Sequence, residues 1–484
     1  MRLRGVFTVG VAGAIVLAGC SSTSEPDSPP VDASALAASV TESGVVGHLE
    51  QLQSIAESND GNRAAGTSGY DASVDYVAQT LEDKGFDVQT PEFEFHKFDV
   101  NTEALRSGDR DFDVRALSYS PSTGPQGLTA RLVPARKDDS PGCEATDYDG
   151  LDVTGAIVLV NRGVCPFAAK QQVASERGAA GVIVVNNEDG PMSGGTLGDP
   201  DVGKVPTGGV SKADGAALEQ AGGDVTLTLD TTTESSTARN VIAQTKTGST
   251  DDVVMVGAHL DSVPDGPGIN DNGTGVAATL ETAVQLGGSP DVDNAVRFAF
   301  WGAEELGLLG SEAYVDSLSE EQRNDIALYL NFDMLGSENA GYLAYDGDNS
   351  DNVGEGPGPE GSAGIERTFT EFLQGSGVAA DGTDFDGRSD YGPFIEHGIP
   401  SGGVFSGADE TKTPEQAQKW GGTPGVVYDK NYHSATDTLE NVDRAALAKN
   451  AAAVAYAVGV YAESLGGPNG VPIGADREKA RASE

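Results

Sequence analysis

The sequence predicts an α/β protein in which a mixed, mostly parallel sheet is sandwiched by helices and a β-rich domain is inserted into the chain. Three short apolar runs, at residues 253–258, 295–301 and 326–332, are typical of strands buried on both faces. Helical periodicity follows the first of them, at 276–286. Between residues 106 and 237 the chain changes to short strands separated by Gly-rich turns, which indicates the second domain.

The predicted domain boundaries follow from such changes along the chain. At 484 residues the chain is long enough for two domains. Helical patterns at 35–54 and 70–84 and a strand around 87–95 open the first domain, and residues 239–243 resume its sheet after the insert. The divisions are a signal peptide at 1–20, a flexible tether at 21–35, the first domain at 36–105 and 238–466, the insert at 106–237, and a disordered tail at 467–484.

The N-terminus predicts export and lipid anchoring. Arg2 and Arg4 precede a mostly apolar stretch at residues 6–17, which is too short to span a bilayer but fits a secretory signal peptide. The sequence Leu17-Ala18-Gly19-Cys20 resembles the lipobox of bacterial lipoproteins, in which the cysteine is acylated and becomes the first residue. We expect lipidated Cys20 and a Ser- and Pro-rich tether to hold the protein on the extracytoplasmic face of the cell membrane. The alternative is an ordinary signal peptide with a chance cysteine.

The two other cysteines favour a disulfide. With Cys20 lipidated, only Cys143 and Cys165 remain, and an oxidising compartment favours their pairing. The closed loop would stabilise its domain by about 3 kcal/mol in the chain-entropy view. A pair of buried free thiols is the alternative.

Six residues in the second half of the chain predict a metal centre. They comprise two of the five histidines and four carboxylates, and each lies at the end of an apolar run or in a Gly-rich turn. Imidazole and carboxylate in this ratio suit zinc, and one carboxylate too many for a single ion indicates a pair of ions. Side chains at the ends of parallel strands meet in the crevice where such sheets bind ligands. The sequence therefore predicts a metal-dependent hydrolase that uses His259, Asp271, Glu304, Glu305, Asp333 and His433.

The sequence around these residues resembles the co-catalytic zinc aminopeptidases, a family that includes bacterial leucyl aminopeptidases and aminopeptidase Y. The likeness covers most of residues 36–465, including an N-terminal signature, Asn-Arg-Ala-Ala-Gly-Thr, at 62–67. Residues 161–167 resemble the protease-associated domain that is inserted in such peptidases. The ligand motifs are His-Leu-Asp-Ser at 259–262, Asn-Asp-Asn-Gly at 270–273, the segment 301–311, Asn-Phe-Asp-Met at 331–334 and the segment 432–438.

The resemblance implies two zinc ions and a set of protein ligands for them. Asp271 would bridge the two ions. His259 and Asp333 would complete one site. Glu305 and His433 would complete the other.

The resemblance also implies supporting roles around the metals. Glu304 would bind no metal and act as the general base. Asp261 would accept the remaining ring proton of the first histidine, and a cis peptide would follow the bridging aspartate, at Asp271-Asn272. Tyr432 would polarise the scissile carbonyl, and Arg388 would line the substrate site.

For two further segments we predict a structural role but no catalytic residues. The insert has no cluster of ligands or nucleophiles, so we expect no catalysis there; it would restrict access, bind substrate chains or serve as a passive lid. Residues 337–364, rich in Gly, Asp, Asn and Pro, predict a long surface loop.

Composition and charge narrow the partners. Lys+Arg 30 against Asp+Glu 75 gives a net charge of −45, which makes nucleic acid a poor partner and excludes electrostatic attraction to anionic lipid. The 38% of hydrophobic residues is enough to bury a core. The sequence thus predicts an exported zinc aminopeptidase acting on peptides. The alternatives are a carboxypeptidase or a one-zinc glutaminyl cyclase of the same fold, or a non-catalytic receptor.

Overall fold

A computed structural model describes residues 30–136, 141–192, 195–354 and 356–482 of the chain. The predicted signal peptide and its lipobox residue Cys20 lie outside the described residues. The chain divides into two compact units. One contains the described residues up to Ala64, Ala72–Thr90 and the chain from Val241 onward; the other contains Ala65–Asp71 and Pro91–Asn240.

The strands and helices of the described residues are as follows. In chain order the strands are β1 (Asp87–Gln89), β2 (Glu92–Ser107), β3 (Arg110–Phe112), β4 (Arg115–Ala116), β5 (Leu128–Pro134), β6 (Ile157–Asn161), β7 (Gly181–Val185), β8 (Thr207–Val210), β9 (Asp224–Arg239), β10 (Val241–Gln244), β11 (Ser249–His259), β12 (Asn294–Trp301), β13 (Ile326–Asn331), β14 (Leu343–Tyr345), β15 (Asp381–Thr383), β16 (Ser401–Gly402) and β17 (Val404–Phe405). The helices are α1 (Ala33–Ser39), α2 (Glu42–Glu57), α3 (Ser68–Asp83), α4 (Phe167–Glu176), α5 (Lys212–Ala221), α6 (Gly275–Leu286), α7 (Leu309–Ser317), α8 (Glu320–Asp325), α9 (Ser362–Gly375), α10 (Gly392–Ile395), α11 (Pro414–Trp420), α12 (Arg444–Glu463) and α13 (Ala475–Arg481).

The main sheet of the first unit is mixed and mostly parallel, which confirms the predicted fold class. Its strand order is β1-β10-β12-β11-β13-β16. The strands β12, β11, β13 and β16 pair in parallel, whereas β10 and β1 pair antiparallel at one edge. Strands β12 and β13 are almost entirely buried, and β11 is buried from Val253 onward. Strands that are covered on both faces have continuous apolar runs for this reason.

The parallel strands bring the predicted ligand loops to one edge of the sheet. Strand β11 ends at His259, β12 at Trp301 and β13 at Asn331, and Gly257 of β11 is paired with both neighbouring strands. A Cβ at Gly257 would lie 2.3 Å from the Tyr329 hydroxyl, so only glycine fits here. The loops that follow the three strands therefore start side by side.

Helix α12 forms part of the core beside this sheet. Its N-cap residue Asp443 accepts hydrogen bonds from the N–H groups of Ala445 and Ala446. Among the described residues, α12 is long and apolar enough to cross a membrane by length and composition, but 67% of its apolar window is buried inside the protein. Burial of this extent is typical of a core helix in a globular unit.

The second unit is built on an eight-stranded sheet in the order β3-β2-β9-β5-β6-β7-β8-β4. Strand β2 pairs antiparallel with β9 over nearly its whole length. The predicted boundary at residue 106 falls inside β2, and the longer segment of this unit begins at Pro91. The strand predicted around 87–95 is split: Gln89 pairs with Ile242 in the first sheet, whereas the Pro91 carbonyl accepts a hydrogen bond from the Asn240 N–H. Cys143 and Cys165 form the predicted disulfide within this unit.

The C-terminal tail is not disordered as predicted, because α13 forms at Ala475–Arg481. Arg477 is 4% exposed, and its guanidinium donates to the carbonyls of Asp251 and Asn324 and to the carboxylate of Asp252. These partners lie at the start of β11 and just before β13, the ends opposite the ligand loops. A second expectation was also wrong: the segment predicted as a surface loop contains the buried strand β14.

Candidate metal centre

The two predicted histidines face a shared aspartate. His259 is 1% exposed, and its Nε2 lies 3.3 Å from Oδ1 of Asp271 and 3.4 Å from Oδ1 of Asp333. His433 Nε2 lies 3.2 Å from Oδ2 of Asp271 and 3.0 Å from Oε2 of Glu305. Asp271 therefore presents a different oxygen to each histidine. Two overlapping groups, each with ligand atoms within 4.8 Å of one another, meet the requirements for holding a cation.

The loop that carries Asp271 is fixed by hydrogen bonds to other loops. The carboxylate of Asp437 accepts from the N–H groups of Asn270 and Asp271, at 2.7 and 3.0 Å. Asn272 accepts from the N–H of Met334 and donates to the Phe332 carbonyl, which ties this loop to the one that carries Asp333. The expected cis peptide is present between Asp271 and Asn272.

Asp261 supports the site in a different way from the one predicted. His259 Nδ1 lies 3.2 Å from the backbone carbonyl of Asp261, but 3.7 Å from its carboxylate Oδ1, which is too far for a hydrogen bond. The carboxylate instead accepts from the N–H groups of Glu304 and Glu305, at 3.1 and 3.3 Å. The sequence identified the right residue but assigned the contact to its carboxylate instead of its backbone carbonyl. Both acceptors belong to Asp261 and lie close to its Cα, so the sequence alone does not distinguish them. Asp261 thus links the first ligand loop to the two glutamates.

Left-handed backbone conformations occur at or next to three of the predicted site residues. Ala303, Met334 and His433 have φ values of 57°, 48° and 53°. Residues with a Cβ adopt this conformation at a cost of order 1–3 kcal/mol, and such residues cluster at functional sites. Ala303 directly precedes Glu304, and Met334 directly follows Asp333.

The electrostatics of the site call for positive charge. Oε1 of Glu305 and Oδ1 of Asp333 are buried, and they have no hydrogen-bond partner among the described residues. Burial and the nearby Asp271 raise the pKa of Glu305 to about 7. Burial alone would lower the pKa of His433, but Asp271 and Glu305 raise it to about 10. Buried carboxylate oxygens without partners are costly unless a cation neutralises them, so the residues present fit bound metal.

Tyr432 and Arg388 lie in the same cavity as the ligands. Tyr345 and Phe405 form part of the apolar wall of this cavity. The Tyr432 ring stacks on His433, and its hydroxyl lies 3.5 Å from Nη2 of Arg388. Arg388 also pairs with two carboxylates at 3.2 and 3.3 Å, those of Asp409 and Glu410.

Four of the five predicted ligands and the predicted base thus line one cavity, at the edge where the parallel strands end. The fifth predicted ligand, His259, does not line the cavity but lies against Asp271, which does. Two histidines and four carboxylates in this arrangement define a metal-dependent hydrolase. Sequence reasoning missed three groups that hold the ligand loops in place: the carboxylate of Asp437, the amide of Asn272 and the hydroxyl of Ser389, which donates to Asp333 at 2.7 Å. Asp437 and Asn272 lie within the motifs that the sequence analysis had named. The sequence did not predict which groups they bind.

Comparison with known proteins identifies the family. The family model of peptidase family M28 matches residues 240–458, and that of the PA domain matches residues 128–218. The probable lipoprotein aminopeptidase LpqL of Mycobacterium tuberculosis is 55% identical over 99% of this chain and 97% of its own length. Leucine aminopeptidase 2 of Trichophyton rubrum is 43% identical over 87% of this chain and 84% of its own length.

Solved structures agree with these relatives. An aminopeptidase from Aneurinibacillus sp. strain AM-1 is 27% identical with a TM-score of 0.73, over 89% of this chain and 96% of that one. BSAP, a zinc aminopeptidase from Bacillus subtilis, is 30% identical with a TM-score of 0.62, over 88% of this chain and 95% of that one. The chain belongs to peptidase family M28, and its enzyme class is that of a metallo-aminopeptidase.

Proposed function

We propose that this protein is a two-zinc aminopeptidase that removes N-terminal residues from peptides outside the cytoplasmic membrane. The observation that carries the proposal is the position of Asp271, whose two oxygens face the Nε2 atoms of His259 and His433 at 3.3 and 3.2 Å. A carboxylate that offers one oxygen to each of two imidazole-containing groups suits a bridge between two cations. The zinc aminopeptidase of Bacillus subtilis supports zinc as the metal.

Each proposed zinc site has its own buried oxygen without a hydrogen-bond partner among the described residues. In the first site, formed by His259, Asp271 and Asp333, this oxygen is Oδ1 of Asp333. In the second site, formed by Asp271, Glu305 and His433, it is Oε1 of Glu305. The donor set of imidazole nitrogen and carboxylate oxygen is one that zinc prefers.

The chain's own residues would carry out the proton transfers and orient the substrate. When bound, the zinc ions supply Lewis acidity that polarises the scissile carbonyl and activates water. Glu304 lies in the cavity beside the ligands, with Oε2 3.8 Å from Nε2 of His259. In this position it would take the proton of the attacking water and deliver it to the leaving amine. The Tyr432 hydroxyl would donate a hydrogen bond to the developing oxyanion.

The charge around the cavity favours a substrate amine over a substrate carboxylate. A carboxypeptidase would need an available basic group to bind the terminal carboxylate of its substrate. Arg388 is paired with Asp409 and Glu410, and further acidic residues, including Asp384 and Asp386, line the described cavity. This excess of negative charge attracts the ammonium of a free N-terminus and repels a C-terminal carboxylate. We therefore assign Arg388 to the wall of the substrate site rather than to carboxylate binding.

The place of action follows from the N-terminal sequence and a relative. The lipobox-like segment that ends at Cys20 predicts a lipid anchor, and the relative from Mycobacterium tuberculosis is named a lipoprotein aminopeptidase. A lipid anchor would hold the enzyme at the outer face of the membrane, where peptides and oxidising conditions coincide.

The test is a metal titration of the purified full-length protein. Protein stripped with a strong chelator should release no product from an aminoacyl anilide, and activity should return and saturate near two equivalents of zinc. The same anilide with an acetylated N-terminus should not be cleaved. Full activity of the metal-free protein would exclude the mechanism, and saturation at one equivalent would exclude the second zinc ion. Cleavage from the C-terminus would favour a carboxypeptidase.

A further inference from the structure

Arg63 is a fully buried cation whose partners are backbone carbonyls. Its exposure is 0%, and no carboxylate of the described residues forms a direct ion pair with it, although the charges of Asp261, Asp437 and Asp271 act on it from a greater distance. The guanidinium donates to the carbonyl oxygens of Pro267 at 3.0 Å, of Gly268 at 2.6 Å, and of Leu260. A buried charge without a direct ionic partner is costly to desolvate. The burial of this guanidinium therefore indicates that it has a structural or functional role.

The three carbonyls belong to the two loops that carry the first ligands. Leu260 lies between His259 and Asp261, while Pro267 and Gly268 begin the turn that leads to Asp271. One planar guanidinium with fixed donor directions therefore connects both loops.

The backbone of Arg63 is held by the same segment. The Arg63 N–H donates to the Ser262 hydroxyl at 2.9 Å, and the Ser262 N–H donates to the Arg63 carbonyl at 3.3 Å. Gly268 has a left-handed φ of 61°, and a Cβ there would lie 2.5 Å from the Asp271 carbonyl oxygen and 3.1 Å from Nη2 of Arg63. The turn is thus packed directly against the guanidinium, and there is no space for a side chain at Gly268.

We infer that Arg63 is a positioning residue that sets the spacing between the His259 loop and the Asp271 loop, and so preorganises the zinc site before metal binds. This inference rests on the proposed two-zinc function. Without the guanidinium the two loops would separate in the metal-free protein, and zinc would have to reorder them as it binds. Groups that orient metal ligands from outside the coordination sphere typically change affinity by ~10–100-fold when replaced.

The chain offers a matched control in Arg477. This arginine is also buried, at 4% exposed, and also donates to backbone carbonyls, among them those of Asp251 and Asn324 at 2.9 Å. Those carbonyls lie at the opposite ends of the strands from the ligand loops. Lysine in either position keeps the charge but offers one compact ammonium, which does not reproduce the fork of the guanidinium.

The experiment compares Arg63→Lys with Arg477→Lys in the full chain. Zinc affinity is measured by competition with a chromophoric chelator. The stability of the metal-free protein is measured by unfolding in urea, and kcat and KM are measured at saturating zinc. Arg63→Lys should bind zinc at least ~10-fold more weakly and lose kcat more than it raises KM. Arg477→Lys should unfold at lower urea yet bind zinc within ~2-fold of the native protein, because its partners are remote from the ligands.

The possible outcomes separate this inference from the proposed function. Equal losses of zinc affinity in the two variants, or native affinity in folded Arg63→Lys, would overturn the role of Arg63 alone. A native protein that binds no zinc would overturn the proposed function itself. If Arg63→Lys does not fold, Ser262→Ala tests the inference in its place. This change removes the acceptor of the Arg63 N–H, and it should weaken zinc binding more than Arg477→Lys does. Native zinc affinity in Ser262→Ala would then count against the inference.

Discussion

Glu304 and Glu305 are neighbours in the chain but face different partners. Oε2 of Glu305 lies 3.0 Å from Nε2 of His433, whereas Oε2 of Glu304 lies 3.8 Å from Nε2 of His259. The N–H groups of both residues donate to the carboxylate of Asp261, so the turn that separates the two side chains is fixed from behind. This arrangement suits the proposed roles of Glu305 as a metal ligand and of Glu304 as the general base.

We predict that Glu304→Gln folds and keeps both zinc ions, but that its turnover falls by at least ~100-fold, because a positioned base contributes roughly 10²–10⁴-fold. Glu305→Gln should instead lower zinc content, and lose activity partly for that reason. Metal analysis and kinetics on the same purified samples check both expectations. Near-normal turnover of fully loaded Glu304→Gln would refute its role as base, and zinc loss on that change would mean that the two roles are exchanged.

At the residue scale, the sequence predicted the groups that touch the proposed metals better than the groups that support them. His259 and Asp333 lie where parallel strands end, and this position is visible as an apolar run followed by a polar residue. Arg63 and Asp437 instead bond to backbone N–H and C=O groups of other loops. Every residue has a backbone carbonyl, and nearly every residue has an N–H group. The sequence therefore does not show which of these groups Arg63 or Asp437 binds until the fold is known.

The long helix α12 shows how one element is fixed at its first turn. Asp443 accepts hydrogen bonds from the N–H groups of Ala445 and Ala446 at 2.9 and 3.1 Å, which satisfies two donors that the helix itself leaves unpaired. The helix is buried along most of its length and contacts β11 and β12 of the main sheet.

We expect Asp443→Ala to lower the free energy of unfolding by about 1 kcal/mol, within the usual range for losing an N-cap. Asp443→Asn is the matched control, because asparagine caps as well as aspartate and should leave stability nearly unchanged. Urea unfolding of the metal-loaded protein measures the difference, and kcat should stay at the native value in both variants. Equal stability of the alanine and asparagine variants would mean that the cap contributes nothing.

At the scale of elements, the sequence predicted the central strands and missed elements that depend on distant partners. The apolar runs of β11, β12 and β13 are long enough to indicate buried strands without further information. Strand β14 has three residues in a Gly- and Asp-rich segment, and it is formed by pairing with β15 and β17. Helix α13 is likewise held by the contacts of Arg477 with the ends of other strands.

For the molecule as a whole, the net charge bears on the proposed lipid anchor. The net charge of −45 would keep the protein from binding an anionic membrane surface, so a covalent anchor has to supply any attachment. We expect Cys20→Ala to abolish lipid labelling and to move the enzyme from the membrane fraction, while the specific activity of the recovered protein stays native. Labelling and membrane retention that persist in Cys20→Ala would disprove the lipobox assignment.

The junction between the two units has an evolutionary consequence. The chain leaves the first sheet after Gln89 and returns at Val241, and these two ends belong to the neighbouring paired strands β1 and β10. In the insert, Pro91 and Asn240 are joined by a backbone hydrogen bond, so its two ends are also adjacent. Recombination at these two points would gain, lose or exchange the segment Pro91–Asn240, which is all of this unit except Ala65–Asp71, and a short hairpin turn would close the gap. Because the ligands from His259 to His433 all follow the second point, such an exchange would leave the order of the catalytic motifs intact.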